Sequence, residues 1–311
     1  MPTYPISPTI TVNALLKQPR LISRALTNLT AKRFIADKVF QHGSPDEVAG
    51  GSMVYQRSES IYLDAGQDVE EIAARGDWPR AGWSDQIFTE LVKQFGLEIP
   101  ISNLALRRNQ MSQMILGQRR LANNLVRFVD SQAISLLKDT TKNPTIQTYA
   151  APTAWATTAT AKIAADVAAA QELVDVLDEG YDVDTLILHV SQRPNVLDNA
   201  DLSNRLPRET TNGMVQTGVA VPFLGLDQIL FTNQIGAHEF IALDQDVTGT
   251  IADEQPDSEE GFVAYDPGDG QAPIWVKVYE EGRGKDKIIA AGRWPGMILN
   301  EPRAVVWGTG I

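Results

Sequence analysis

The sequence predicts an α+β fold in which strands from distant parts of the chain form the sheets. Three observations carry this prediction. Residues 102–139 have a long helical period, residues 47–95 contain strand-like runs on both sides of a polar turn, and three further strand-like runs lie between 274 and 307. Sheet segments that lie this far apart in sequence, separated by helices, are typical of α+β proteins.

Length and composition are those of a folded protein and exclude several kinds of functional site. The chain has 311 residues, of which 43% are hydrophobic and 21% charged, enough for one large domain or two modest lobes. The absence of cysteine excludes disulfides, thiolate metal ligands and cysteine nucleophiles. The three histidines, at positions 42, 189 and 238, are too few for a histidine-rich metal site.

The sequence carries no sign of export or of a membrane anchor. Its start, MPTYPISPTI, has neither the basic beginning nor the apolar stretch of a signal peptide. No apolar run approaches the roughly 18 residues that a membrane-spanning helix needs. We therefore expect a protein that is made and folds in a cytosol and contacts no membrane.

Charge is unevenly distributed along the chain. The net charge is -12, yet residues 1–40 carry +5, so the remaining residues carry -17. A strongly acidic body repels nucleic acid at long range. A basic segment on an acidic body suggests that this segment meets a different partner; the alternative is that its lysines and arginines decorate short exposed helices.

Residues 1–45 are predicted to form an N-terminal arm. Three prolines, at positions 2, 5 and 8, keep its start extended. Leucine and isoleucine then recur at helical spacing from Leu15 to Leu29, interrupted by Pro19. The arm is too apolar for a disordered tail and too short to form its own core, so we expect it to pack on the body or on a neighbouring subunit.

Residues 46–96 are predicted to form an extended β-hairpin. Strand-like runs around 53–55 and 61–63 are separated from a second limb, 86–95, by the turn-rich segment ARGDWPRAGWSD. A long hairpin is not stable alone in water, so it must lie on another surface. The side chains of its tip are candidate contacts with a second subunit: Arg75, Trp78, Arg80 and Trp83.

Residues 102–139 give the clearest helical pattern. Apolar side chains recur every three or four residues, Ser102 is a good N-cap, and no proline interrupts the stretch. A helix of about 36 residues would be roughly 54 Å long. The alternative is a core helix kinked near Gly117. One face is strongly basic and is expected to meet acidic loops or water; it carries Arg107, Arg108, Arg119, Arg120 and Arg127.

The remainder predicts one more helix and several strands. The helix covers about 160–178, with Gly180 as its glycine stop. Strand-like runs follow at 185–190, 228–232 and 239–243, and an acidic loop is expected over 244–260. The chain closes with strand-like runs at 274–280, 287–292 and 304–307.

Four short motifs resemble functional signatures, and each lacks a required residue. They are GGSMV (50–54), HEFIA (238–242), GRGKD (282–286) and DPGDGQ (266–271). The first lacks a glycine of the nucleophile elbow, and the second lacks the second ligand of a zinc-protease helix. The third lacks the Ser or Thr of a phosphate loop, and the fourth lacks a calcium ligand. We therefore predict no catalytic, cofactor-binding or metal-binding residues and no enzyme activity.

Five segments, taken in order, resemble the major capsid protein family of tailed bacteriophages, which has the Hong Kong 97-type fold. They are IAARGDWPR (72–80), FGLEIPIS (95–102), DTLILHVSQRPNVLDNAD (184–201), GLDQILFTNQI (225–235) and the ending 279–310. Each motif is weak alone, but five in this order are fairly specific. The chain departs from the family at Arg75, where an acidic residue is common, and it starts directly with the arm.

The resemblance implies a domain order. Residues 97–150 would form the peripheral domain with its long spine helix, residues 151–272 mainly the axial domain, and residues 273–311 the closing strands of the peripheral domain. The hairpin would lie across the spine helix of a neighbouring subunit, and the arm across another neighbour.

The resemblance also implies a function. The chain would be a structural protein that assembles as hexamers and pentamers into the icosahedral head shell of a virion, formed in the host cytoplasm. The implied partners are copies of itself, a scaffolding protein encoded separately, a portal, a possible decoration or cement protein, and packaged double-stranded DNA bound without sequence specificity. No cofactor is implied.

The segment EGRGKDK, residues 281–287, is predicted to be a loop that meets its own copies at three-fold contacts. Its charged side chains could pair between copies: Glu281, Arg283, Lys285, Asp286 and Lys287. The alternative is a solvated hairpin turn. For the whole chain, the alternatives are an encapsulin-type nanocompartment shell protein, whose relatives usually lack a long arm, and a soluble binding or hydrolase domain, which the failed motifs disfavour.

The shell is predicted to lack covalent cross-links through the hairpin. Some relatives join a lysine of this loop to a neighbour's asparagine, but here no lysine occurs between Lys38 and Lys93. A guanidinium stays protonated and cannot replace the amine. Boiled particles should therefore run on a denaturing gel as a single band near the subunit mass of 34.1 kDa; a ladder of oligomers that survives boiling would contradict the prediction.

Overall fold

The structure, a computed structural model, describes most of the chain. The described residues are 11–31, 33–43, 48–57, 86–157, 161–197, 199, 225–256, 260–265, 273–282 and 286–311. The tip of the predicted hairpin lies outside them, and so do the first ten residues of the predicted arm. Statements about those two segments therefore stay predictions.

Helices and strands alternate irregularly along the described residues. The helices are α1 (Val12–Leu16), α2 (Pro19–Thr30), α3 (Ala36–Val39), α4 (Asn103–Arg107), α5 (Met111–Leu137), α6 (Ile163–Asp175) and α7 (Arg193–Leu197). The first strands are β1 (Gln41–His42), β2 (Val48–Ala49), β3 (Ser52–Arg57), β4 (Gln86–Leu91), β5 (Phe95–Ile101), β6 (Gln147–Ala150) and β7 (Thr185–His189). The later strands are β8 (Gln228–Thr232), β9 (Glu239–Leu243), β10 (Gly249–Asp253), β11 (Trp275–Glu281), β12 (Asp286–Arg293), β13 (Pro295–Leu299) and β14 (Val305–Thr309).

The described strands form four sheets, and in all of them except β2-β3-β4 strands from distant parts of the chain pair with one another. The orders are β6-β14-β9-β7-β8, β11-β12-β5, β1-β10-β13 and β2-β3-β4. In the second of these sheets β5 and β12 pair antiparallel, so that Gly96 lies opposite Gly292. The α+β class predicted from the sequence is therefore confirmed.

The five-stranded sheet is buried on both faces. In β7, Leu186 and Leu188 belong to a core beneath α6, while Ile187 points to the opposite core beneath α5 and α3. Alternation of this kind follows from the two-residue period of a strand. Because both faces are covered, β7 is apolar at successive positions, which is why it was recognisable as a short aliphatic run.

The close packing of this sheet requires a glycine in β14. A Cβ on Gly308 would lie 2.0 Å from the ring of Phe240 on the neighbouring strand β9. The Phe240 ring is held in turn by Trp155, with ring centroids 5.7 Å apart. The aromatic core beneath α6 therefore fills the space that a side chain at position 308 would need.

The long helix is divided close to its start, and the prediction of one continuous helix over 102–139 is wrong there. Asn109 takes a left-handed conformation with φ of 49°, which ends α4 and separates it from α5. The predicted N-cap is confirmed, because Ser102 Oγ accepts a hydrogen bond from Ala105 N at 3.3 Å. The helix is not split at Gly117, since α5 continues through that residue.

The N-terminal helices pack on their own subunit. Ile22 and Leu26 of α2 are fully buried in a core that α5 and the β11-β12-β5 sheet complete. Ser23 Oγ donates a hydrogen bond to the carbonyl of Ile274, at 2.6 Å. Of the two expected packing partners of the arm, its described part uses the body of its own chain, and contact with a neighbouring subunit stays a prediction.

Several strand predictions are confirmed and others need correction. The runs predicted at 185–190, 228–232, 239–243, 274–280, 287–292 and 304–307 all form strands. The predicted acidic loop 244–260 is wrong in its middle, because β10 lies within it and pairs with β13. Strands β6 and β13 had not been predicted. The last strand, β14, joins β6 and β9, whereas β11 and β12 join β5. The strands of residues 273–311 therefore enter three sheets.

Candidate inter-subunit surface

The described residues contain no obvious centre for chemistry. Among them, no group of three or more histidine, aspartate or glutamate side chains is arranged to hold a metal ion. Within the same residues, every helix is too short or too polar to cross a bilayer. His238, in the motif that resembled a zinc site, has its Nδ1 atom 2.9 Å from the carbonyl of Ile311. Its ring is therefore engaged with the backbone of the C-terminus.

The loop predicted to meet its copies joins β11 to β12. Gly282 takes a left-handed conformation with φ of 70°, and Glu281 lies opposite Asp286 where the two strands end. The Asp286 carboxylate accepts a hydrogen bond from Asn103 N, at 2.9 Å, which places a negative charge at the start of α4. Lys287 forms an ion pair with Glu280. Asp286 and Lys287 are thus engaged within the subunit.

The other charged residues of this loop are predicted to contact neighbouring copies. Glu281 is exposed at its rim. Arg283 and Lys285 lie outside the described residues, and their role at a three-fold contact stays a prediction. Nearby, the Tyr279 hydroxyl donates to Glu98 Oε1 at 2.7 Å, and this hydrogen bond raises the pKa of Tyr279 to about 12. The described base of the loop is therefore tied to β5.

The base of the predicted hairpin is formed by β3 and β4. The two strands pair antiparallel from Ser52 opposite Leu91 to Arg57 opposite Gln86, as predicted for this part of the hairpin. Met53 is buried against the β1-β10-β13 sheet, whereas Leu91 is 71% exposed. The hairpin is therefore anchored by one face and leaves apolar surface on the other. Its predicted tip contacts, Arg75, Trp78, Arg80 and Trp83, lie outside the described residues.

Two polar contacts tie the hairpin base to the end of α5. Lys93 Nζ donates to Gln132 Oε1 at 2.8 Å, and Lys142 Nζ lies 3.4 Å from Glu90 Oε1. Between these contacts the strand and the helix border a small cleft of about 80 Å³. These contacts hold the described base of the hairpin against α5 and the turn that follows it.

An apolar groove runs beside α5, along β5. It has a volume of about 270 Å³ and is lined by Gln94, Phe95, Gly96, Leu97, Asn124, Leu125 and Phe128. Phe128 is 57% exposed and Leu97 is 40% exposed. Large side chains left in water at a concave surface are typical of a binding site for another protein segment.

A buried ion cluster attaches the arm to the body. Arg293 of β12 has no exposed side-chain surface, and its Nε lies 2.8 Å from Asp253 Oδ1 at the end of β10. Its Nη2 lies 2.7 Å from Asp37 in α3, and its guanidinium lies over the ring of Phe34, 4.6 Å from the centroid. Burial alone would lower the pKa of Arg293, but Asp253 and Asp37 raise it above its ordinary value, so the group stays charged.

A second buried carboxylate holds the same segment from the other side. Asp130 of α5 accepts hydrogen bonds from the backbone N–H groups of Ile35 and Ala36, at 2.8 and 3.1 Å. Burial raises the pKa of Asp130 to about 6. The sequence analysis missed this cluster and the groove, because their members are far apart in sequence and none stands in a recognisable motif.

The chain matches one family model and is similar to several solved structures. A family model described as phage capsid protein matches residues 88–308. The solved structure named Mycobacterium phage Che8 is similar with a TM-score of 0.57 and 11% identity, over 88% of this chain and 90% of that chain. The solved structure named Gordonia phage Cozz is similar with a TM-score of 0.59 and 10% identity, over 88% of this chain and 85% of that chain. Comparison with curated protein sequences gives no match.

A particle of another kind is similar to the same degree. The virus-like particle from Pyrococcus furiosus has a TM-score of 0.56 and 12% identity, over 92% of this chain and 98% of that chain. At such identities the likeness concerns the fold. The predicted Hong Kong 97-type fold is confirmed, and the boundaries predicted for its domains stay predictions.

The buried carboxylate gives a testable dependence of stability on pH. The pKa of Asp130 is about 6 in the folded chain and near 3.8 without its surroundings. Because the folded-state pKa is raised, the contribution to the free energy of unfolding is full below about pH 4 and is lost as pH rises through 6. Between about pH 4.5 and pH 7.5 the loss is on the order of 2 kcal/mol.

Urea unfolding of purified subunits at these two pH values measures the loss. Asp130→Asn retains a hydrogen-bond acceptor but does not titrate, so the part of the pH dependence due to Asp130 should disappear in this variant. Glu172→Gln, at an exposed position of α6, is the control and should behave as the wild type. Equal pH dependence in the wild type and Asp130→Asn would contradict the assignment.

Proposed function

The chain belongs to the phage capsid protein family, and from that premise we propose that it is the major capsid protein of a tailed phage, assembling as hexamers and pentamers into an icosahedral shell around double-stranded DNA. The family model covers residues 88–308, which is most of the chain, and the virion capsid is the location that follows. The observation that carries the proposal is that one subunit has both the paired strands β3 and β4, which form the described base of the predicted hairpin, and an exposed apolar groove.

The groove beside α5 is the surface that a neighbour's hairpin would cover. Phe128 and Leu97 are exposed at its edges, and burial of apolar area of this kind stabilises association by about 25 cal/mol per Å² before the costs of binding. The hairpin supplies apolar side chains of its own, including Trp78 and Trp83. Each subunit would thus offer one projecting element and one receiving surface, an arrangement that closes rings.

The β11–β12 loop is proposed as a second contact, at three-fold positions. Arg283 and Lys285 lie between Glu281 and the two residues that already have partners in the subunit, Asp286 and Lys287. A cation of one copy could therefore pair with Glu281 of the next. Because exposed ion pairs contribute only about 0–1 kcal/mol each, this contact would set the geometry of assembly more than its strength.

An encapsulin-type compartment is the second candidate. The similarity to the virus-like particle from Pyrococcus furiosus favours it. The arm argues against it, because relatives of that type usually lack a long arm and this chain has three helices, α1 to α3, before its hairpin. Particles that carry DNA and a tail would identify the phage shell; particles that enclose a protein cargo would identify the compartment.

The remaining partners follow from the phage assignment. A scaffolding protein encoded separately, a portal and a decoration or cement protein are proposed, and no catalytic activity is proposed. A structural role follows from family membership, since a capsid protein acts by assembling. Cohesion would come from the hairpin and groove, and the described arm would contribute by stabilising the subunit itself.

Phe128→Glu tests the groove. The variant should fold, because position 128 is 57% exposed, but a carboxylate in the groove would be buried without a partner when a neighbour docks. Assembly yield, measured by sedimentation, should fall at least about tenfold, which corresponds to only 1.4 kcal/mol per contact. Phe128→Leu keeps the groove apolar and should assemble. Normal shells from Phe128→Glu would exclude the groove as an interface.

Arg283→Glu tests the β11–β12 loop. Reversing this charge places like charges next to Glu281 of a neighbouring copy, so the proportion of closed particles should fall while circular dichroism of the subunit stays unchanged. Arg193→Glu, at an exposed position of α7 in another part of the fold, is the control for charge reversal alone. Closed shells from Arg283→Glu in normal yield would leave the loop as a solvated turn.

A further inference from the structure

Two segments of the chain carry positive charge without any acid. Residues 11–36 contain five lysines and arginines and no aspartate or glutamate, and residues 99–129 contain five arginines and again no acid. Together they carry +10 in a chain whose net charge is -12, so the rest of the chain carries -22. The charge of the protein is therefore strongly segregated.

The fold brings these two segments together. Helix α2 from the first segment and helix α5 from the second share one hydrophobic core through Ile22, Leu26 and Leu121. Arg33 Nη2 also donates to Asn123 Oδ1 across the two segments, at 2.8 Å. The outward sides of the two helices therefore form one continuous surface, named here the basic face. It consists of Arg20, Arg24, Arg33, Arg119, Arg120 and Arg127, and all six residues are exposed.

Neutral partners, not acids, accompany the basic face. Arg24 lies over the ring of Tyr265, 5.2 Å from the centroid, and Arg33 contacts an amide. Among the described residues, the ion pairs are formed by other cations: Lys138, Lys142, Lys287, Arg293 and Arg303. No acid among the described residues therefore neutralises the basic face, and its positive charge can attract an anion.

We propose that the basic face binds the phosphate backbone of double-stranded DNA without sequence specificity, and that it forms the side of the shell that meets the packaged genome. The proposal rests on the proposed function, since it needs a shell that encloses DNA. Arginine suits this ligand because its planar guanidinium binds phosphate through two hydrogen bonds. The amide of Asn123 lies among the arginines and can also donate to phosphate.

Spacing along α5 agrees with a polyanion that has charge everywhere along its length. Arg120 and Arg127 are seven residues apart on one side of the helix, about 10 Å along its axis. Duplex DNA offers about one charge per 1.7 Å of its axis, so these arginines need no particular register. The part of the chain outside the two acid-free segments carries -22 and would repel the polymer at long range.

An acidic protein segment is the competing occupant. Residues 58–85 of the hairpin contain seven acids and two arginines, so a neighbour's hairpin could also be attracted to cations. This segment is rich in apolar side chains and suits the groove at Phe128, which lies on the side of α5 next to β5. On α5, Arg120 and Arg127 lie four and three residues from Asn124, which lines that groove, so the two surfaces adjoin. The apolar side chains of the segment favour the groove for the hairpin, and the arginines favour DNA on the basic face.

Binding of a short random-sequence DNA duplex to unassembled subunits, measured by fluorescence anisotropy over salt, tests the proposal. If four or five phosphates are contacted, the logarithm of the association constant should fall with that of salt with a slope of about -4. Arg120→Glu/Arg127→Glu should weaken binding at least about tenfold and reduce the slope by about 2. The milder variant Arg120→Gln/Arg127→Gln should bind DNA with an affinity between those of the wild type and the charge-reversal variant. It keeps the test valid if the charge reversal impairs folding.

Lys162→Glu/Arg193→Glu is the matched control, since both positions are exposed and lie outside the basic face, before α6 and at the start of α7. This variant should bind DNA as the wild type does. Electron microscopy of the variants separates this proposal from the proposed function. If the arginine variants form normal shells but no longer bind DNA, the result supports both the proposed function and the assignment of the basic face. No DNA binding by the wild type at low salt, or equal binding by the arginine variants, overturns the basic face as a DNA surface. A synthetic peptide of residues 58–85 that binds in place of DNA, and only to the wild type, assigns the face to the hairpin instead.

Discussion

The fold depends most on one buried guanidinium. Arg293 sits where the arm, β10 and β12 meet, fully buried between Asp253 and Asp37, and Asp130 holds the backbone of the same arm segment from α5. Removing one partner from a buried ion pair costs about 3–5 kcal/mol, a large fraction of the stability of a typical domain. The cluster thus makes the arm part of the subunit, and it couples two sheets that share no strand.

This attachment decides which surfaces remain for assembly. The apolar sides of α1, α2 and α3 are buried largely within the subunit. Several exposed apolar side chains lie close to α5, among them Phe128 and Leu97 at the groove and Leu91 on the hairpin. Helix α5 contributes to two adjoining surfaces, an apolar one beside β5 and a basic one that it shares with α2. A subunit built in this way can bind a neighbour and a polyanion at the same time.

Much of the fold could be predicted from local patterns, and the failures have physical causes. Strands β7, β8 and β9 were recognisable because burial makes them aliphatic, and Ser102 was recognisable as a cap. Strand β13 was missed because Pro295 and Gly296 read as a turn, although the edge position tolerates both. The break at Asn109 depends on one left-handed residue. The Arg293 cluster joins residues up to 256 positions apart, and no sequence pattern encodes such a contact. The groove likewise exists only once β5 lies beside α5.

The central claim is that this subunit closes into a shell, and electron microscopy of the purified protein tests it most directly. The protein would be imaged alone at high concentration and after coexpression with the scaffolding protein of its own phage. The account predicts closed particles of uniform size built from hexamers and pentamers. A stable monomer under every condition of salt, concentration and scaffold, with Arg293 and α5 intact, would contradict it.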